Sequence, residues 1–116
     1  MHTVYLVVVW ATILANAGIA VADFARAGFV MDNSAAVGLP PSWIMPLGVL
    51  KTAGALGLLA GVAGFRWIGA AAAAGLVLFF IGAVAAHVRA RVFSNIAFPG
   101  AYLALAAGSL VLTLLR

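Results

Sequence analysis

Cysteine is absent from the 116 residues, which removes disulfides, thiolate catalysis and cysteine-ligated zinc or iron–sulfur centres in one step. A four-helix thiol-disulfide enzyme of the vitamin K epoxide reductase type is excluded with them. Glutamate is absent too. Asp23 and Asp32 are the only acidic residues, facing Arg26, Lys51, Arg66, Arg89, Arg91 and Arg116, and charged residues make up 7% of the chain. The net charge of +4 therefore reflects scarce carboxylates rather than a basic arm. Such scattered cations suit anionic lipid headgroups and give no case for nucleic acid as a partner. Histidine occurs only at His2 and His87, which span counting puts on opposite sides of a membrane, so paired haem ligation within one subunit is excluded and no metal site is expected. There is no Gly-rich phosphate loop, nucleotide motif or Ser-His-Asp pattern.

What is present is apolar. The chain is 67% hydrophobic, with four stretches of roughly 20 residues, the length an α-helix needs to cross a bilayer. It reads as an integral membrane protein whose first partner is lipid. Spans of that length leave room only for short connections, so the expected fold class is an all-α membrane protein, an up-down four-transmembrane-helix bundle forming one domain over the whole chain. Helices are predicted over about residues 3–22, 43–65, 67–88 and 99–115. Residues 4–17 imitate a secretory leader, with Ala15-Asn16-Ala17 as an A-x-A pattern. They lack a basic n-region and read as a retained first helix.

The connection from Ala27 to Ser42 reads as a loop, with Asp32-Asn33-Ser34 as turn chemistry and Pro40-Pro41-Ser42 leading into a helix. Ala53, Gly57 and Gly61 form one small-residue face and Ala104 and Gly108 another; such faces serve helix packing, a homo-oligomer or docking onto a larger membrane complex. Tyr5, Trp43, Trp67 and Tyr102 fall near predicted boundaries, as an aromatic belt requires. Arg26, Arg89 and Arg91 outnumber Arg66 and Arg116 on the other side, so the positive-inside rule puts the former side in the cytoplasm, with a bacterial inner membrane as the expected location.

Lys51 lies deep in the apolar run from Trp43 to Phe65, where an unpaired cation costs about 2.5 kcal/mol or more. Something must compensate it. Alternating crossings bring Asp23, Arg26, Lys51, His87, Arg89 and Asn95 into the same half of the bundle. At 1.5 Å per residue Lys51 lies ~12 Å from Trp43, while Asn16 lies ~10 Å inward from Asp23. Asn16 and Asp23 are nearly two turns apart and share a helix face, so a lysine stem can reach either. Each residue also has a plainer reading: Lys51 snorkelling to a headgroup, Asp23 pairing with Arg26, His87 as an interfacial histidine, Arg89 as a headgroup anchor. Together they fit a functional path better, because intramembrane ionisable groups usually face a bundle interior or cavity. Asp23, Lys51 and His87 are the expected acid/base set, and Asn16, Arg89 and Asn95 the expected ligand-binding set.

Several of these residues also carry a resemblance. Ala15-Asn16-Ala17 leading to Asp23-Phe24, Leu39-Pro40-Pro41-Ser42-Trp43, Leu47-Gly48-Val49-Leu50-Lys51 followed by Gly54 and Leu56-Gly57-Leu58, Ala86-His87-Val88-Arg89, and Asn95 with Pro99 resemble the DoxX-like group of small four-helix bacterial membrane proteins over nearly the whole chain. The resemblance implies four transmembrane helices with both termini on one side. The family is named by association with a subunit of thiosulfate:quinone oxidoreductase, and related members are linked to membrane redox and oxidative-stress systems. It supplies no catalytic set for these positions.

The chemistry of the residues then points to a polar-lined pocket for a hydrophobic small molecule with an oxygen-bearing head, such as a quinone or an isoprenoid-like lipid. Lys51 would bind or polarise the oxygen while Asp23 and His87 handle protons, in membrane redox chemistry or in an acid/base isomerase or epoxide-opening enzyme. No bound redox centre is encoded, so electron transfer would need an exogenous quinone or a partner. Proton-coupled transport is the first alternative. The chain matches the small multidrug resistance family in size, but Asn16 stands where a first-helix carboxylate is needed. The second alternative is a structural accessory subunit.

Overall fold

The computed structural model describes residues 2–116. Its order is α1 (His2–Phe24), α2 (Gly28–Ala36), a 3-10 turn (Pro41–Trp43), α3 (Ile44–Val62), α4 (Arg66–Arg89) and α5 (Ala97–Leu115). Helices α1, α4, α5 and α3 with its leading 3-10 turn are each long and apolar enough to cross a membrane. α1 lies against α3 and α5, and α4 closes the ring between them. This is an up-down four-helix bundle. Its termini meet at one end, where Arg116 donates to the Tyr5 hydroxyl and to the Gly61 carbonyl.

Backbone chemistry fixes the helix ends. α2 and α3 close on Gly38 (φ 83°) and Gly64 (φ 121°), the left-handed conformation that glycine adopts without steric cost. In both, the following residue reaches back across the last turn, Leu39 N–H to Ser34 and Phe65 N–H to Ala60. α1 and α4 close in the same way on arginines, Arg26 (φ 51°) and Arg91 (φ 57°). There the side chain's positive charge sits at the negative end of the helix dipole.

The predicted spans survive with shifted ends. The second was expected from Trp43 to Phe65, but Trp43 belongs to the 3-10 turn and the Gly64 reversal ends α3 at Val62. A larger correction concerns residues 28–36, expected as loop and found as α2. Asp32, Asn33 and Ser34 favour turns when their side chains bond back to their own backbone. Here the Asn33 side chain is engaged across the bundle instead, and Val30 packs with Ile19 and Ile44.

The small residues of α3 are used within the bundle. A Cβ on Gly61 would meet the Gly69 Cα at 2.8 Å, and one on Gly57 would meet the Ala72 Cβ at 2.5 Å, so α3 and α4 touch almost backbone to backbone. The half nearest the termini is a packed core of Tyr5, Val9, Leu58, Ala73, Leu76, Phe80 and Ala106. A polar seam joins α1 to α5, where Thr12 and Ser109 share a hydroxyl hydrogen bond of 2.8 Å.

Candidate functional site

At the end of the bundle away from the termini, the packing opens. Asp23, in the last turn of α1, accepts a hydrogen bond from the Lys51 ammonium at 2.8 Å, with the side chains 3% and 12% exposed respectively. Gly48 makes this meeting feasible. It lies one turn before Lys51, and a Cβ there would stand 3.1 Å from both the Asp23 Cβ and the Phe24 ring, so any larger residue would press the end of α1 away from α3. The ammonium also lies 5.4 Å from the centroid of the Phe79 ring, within cation–π range. Lys51 is thereby compensated inside the bundle rather than at the headgroups.

A second polar group lines the same cavity as this pair. His87 Nδ1 lies 2.8 Å from the Ala83 carbonyl oxygen; a carbonyl only accepts, so Nδ1 carries a proton. The other ring nitrogen, Nε2, lies 3.2 Å from the Asn33 side-chain oxygen, to which Asn95 Nδ2 also donates at 2.7 Å. Nε2 can donate to that oxygen as part of an imidazolium. With both amides turned over, it accepts from the Asn33 nitrogen as a neutral ring. The network is satisfied in either state.

Asp23, Lys51, His87, Asn33, Ser34 and Asn95 all line one cavity of about 270 Å³, whose remaining wall is apolar, including Ile19, Val30, Ile44 and Leu47. Of the residues expected from the sequence, the structure brings together Asp23, Lys51, His87 and Asn95. Asn16 and Arg89 are not among the residues lining the cavity. Asn16 is fully buried on α1, donates to the Thr12 carbonyl and leaves its own Oδ1 without a partner. Arg89 is exposed in the last turn of α4.

Asn33, Ser34 and Phe79 were not anticipated. The signal for Asn33 and Ser34 was their place in a sixteen-residue connection, Ala27–Ser42, long enough to fold back over the bundle end. Phe79 sits in an apolar span where nothing in the sequence distinguishes one phenylalanine from another.

Four apolar helices around a buried ion pair and an imidazole define a small polytopic integral membrane protein with polar groups inside its bilayer-spanning fold. A family model described as the DoxX-like family matches residues 6–109. The chain belongs to the DoxX-like family. No curated protein and no solved structure matches it.

Proposed function

We propose that the cavity binds the polar head of a hydrophobic small molecule, with a quinone or an isoprenoid-like lipid as the ligand class. The observation that carries this reading is the placement of Asp23, Lys51 and His87, from three different spanning helices, on the wall of one cavity with an otherwise apolar lining. A volume of about 270 Å³ is close to the lower end of ligand pockets and suits a single ring or a short oxygenated head. The charge balance narrows the head further. Asp23 and Lys51 neutralise each other, so a neutral carbonyl or hydroxyl head adds no uncompensated charge, whereas a carboxylate or phosphate would.

Bound there, a carbonyl or hydroxyl oxygen takes a hydrogen bond from the Lys51 ammonium, which has donors left after bonding Asp23. His87 Nε2 supplies or accepts a proton on the opposite side of the head, with Nδ1–H held by the Ala83 carbonyl. This chemistry serves a quinone exchanging protons in a membrane redox system, and equally an acid/base isomerase or epoxide-opening enzyme. Proton-coupled transport is favoured less. The half nearest the termini is packed around Tyr5, Val9, Leu58 and Leu76, and its buried polar side chains, Thr12, Asn16, Ser109 and Thr113, are not among the residues lining the cavity. A bacterial inner membrane is the expected site of action.

The test is a titration of purified protein in nanodiscs with a decyl-substituted benzoquinone. Saturable binding is expected, weakened at least tenfold when both charges are removed together in Asp23→Asn/Lys51→Met. Equal binding by that folded variant would contradict the reading.

A further inference from the structure

In this structure His87 Nε2 is not free for a ligand, because the Asn33 side chain occupies it. Asn33 belongs to α2, which adds little else to the bundle: its backbone approaches chiefly the 3-10 turn, and Val30 is its only buried residue. Met31 packs against the same small cluster and Val37 is buried just past the helix end; so short a helix, held by these few side chains and one amide, is easier to displace than the spanning helices. The cavity wall also changes character outward. Asp23 and His87 are 2% and 4% exposed, whereas Phe29 on α2 and Phe98 on α5 line the same cavity at 58% and 47%. Phe29 and Phe98 thus form an exposed apolar rim of the cavity, the edge an apolar chain would cross on leaving it.

We infer that α2 is a gate on the site, that Asn33 is its latch, and that the ligand is an amphipath admitted head first between α2 and α5, with its tail lying in the bilayer across Phe29 and Phe98. The inference rests on the ligand-binding reading above and adds the ligand's shape and its route. A head reaches Nε2 only when the Asn33 amide gives way to it, so binding and displacement of α2 are one event. The tail is not enclosed, so the site selects for the head and tolerates a range of tail lengths.

Two photoreactive decyl-benzoquinones test this on the unaltered protein, one with a diazirine on the ring and one with it at the tail end, with adducts located by peptide mass spectrometry. The ring probe is expected on residues around Lys51 and His87, and the tail probe on peptides spanning Phe29–Ser34 and Phe98–Tyr102. Tail adducts on the opposite groove between α3 and α4, near Leu50 and Leu78, or spread evenly over all helices, would overturn the route while leaving the site intact. Ring adducts away from the cavity would overturn the site itself and the gate with it. Asn33→Ala, which removes the amide that competes for Nε2, should bind decyl-benzoquinone at least fivefold faster, with the ring adducts unmoved. An unchanged association rate would overturn the latch.

Discussion

At the scale of the residue, the Asp23–Lys51 pair decides both stability and site. Two charges taken out of water in this way gain little over well-packed apolar neighbours, but removing one partner strands the other. Asp23→Asn alone or Lys51→Met alone is therefore expected to destabilise the fold by about 3 kcal/mol or more, whereas the double replacement recovers most of that loss. Thermal unfolding in detergent of the four members of this cycle checks it. Additive losses would mean that the two side chains do not depend on one another. The sequence disclosed Lys51 through its cost in an apolar run, but spacing left Asn16 and Asp23 as equal partners. The choice falls to Asp23 because Gly48 lets the end of α1 approach α3 beside Lys51, while Asn16 is occupied with the Thr12 carbonyl a turn away.

At the scale of the element, helices are held by contacts whose strength depends on the absence of side chains. Gly61 and Gly69 face each other across α3 and α4, and each would drive a Cβ into the other's backbone. Gly61→Val or Gly69→Val should lower the unfolding temperature markedly by forcing the two helices apart. Gly75, in α4 with nothing within 4 Å of its Cβ position, is the control: Gly75→Ala should be neutral or add up to about 1 kcal/mol, since alanine is the better helix former. Equal effects at Gly61 and Gly75 would refute the close contact. The spanning helices were legible because length and hydropathy determine them; α2 was not. Its Asp-Asn-Ser run carries turn chemistry by itself, and its helical state depends on partners elsewhere in the bundle, Ile19, Ile44 and His87 in the spanning helices and Asn95 in the turn before α5. The small-residue face of α3 was legible as a packing surface, but only the fold shows that α4 occupies it.

At the scale of the whole molecule, the bundle is asymmetric along its length. The half at the termini is packed apolar core tied by Thr12–Ser109, while the other half holds the ion pair, the imidazole and the cavity under α2. Up-down alternation made this asymmetry readable, since it assigns each helix end to one face before any contact is known. Whether the polar side chains turned inward towards one another was beyond it, because helix rotation is set by packing rather than by span length. That inward convergence is the central claim, and a guest molecule is its proposed consequence. Mass spectrometry of the lipophilic molecules that co-purify with the wild-type protein and with folded Asp23→Asn/Lys51→Met tests it most directly. The expected result is a tailed molecule with a neutral oxygen-bearing head, enriched with the wild type and at least tenfold depleted from the variant. Identical lipophile profiles for the two proteins would contradict the account.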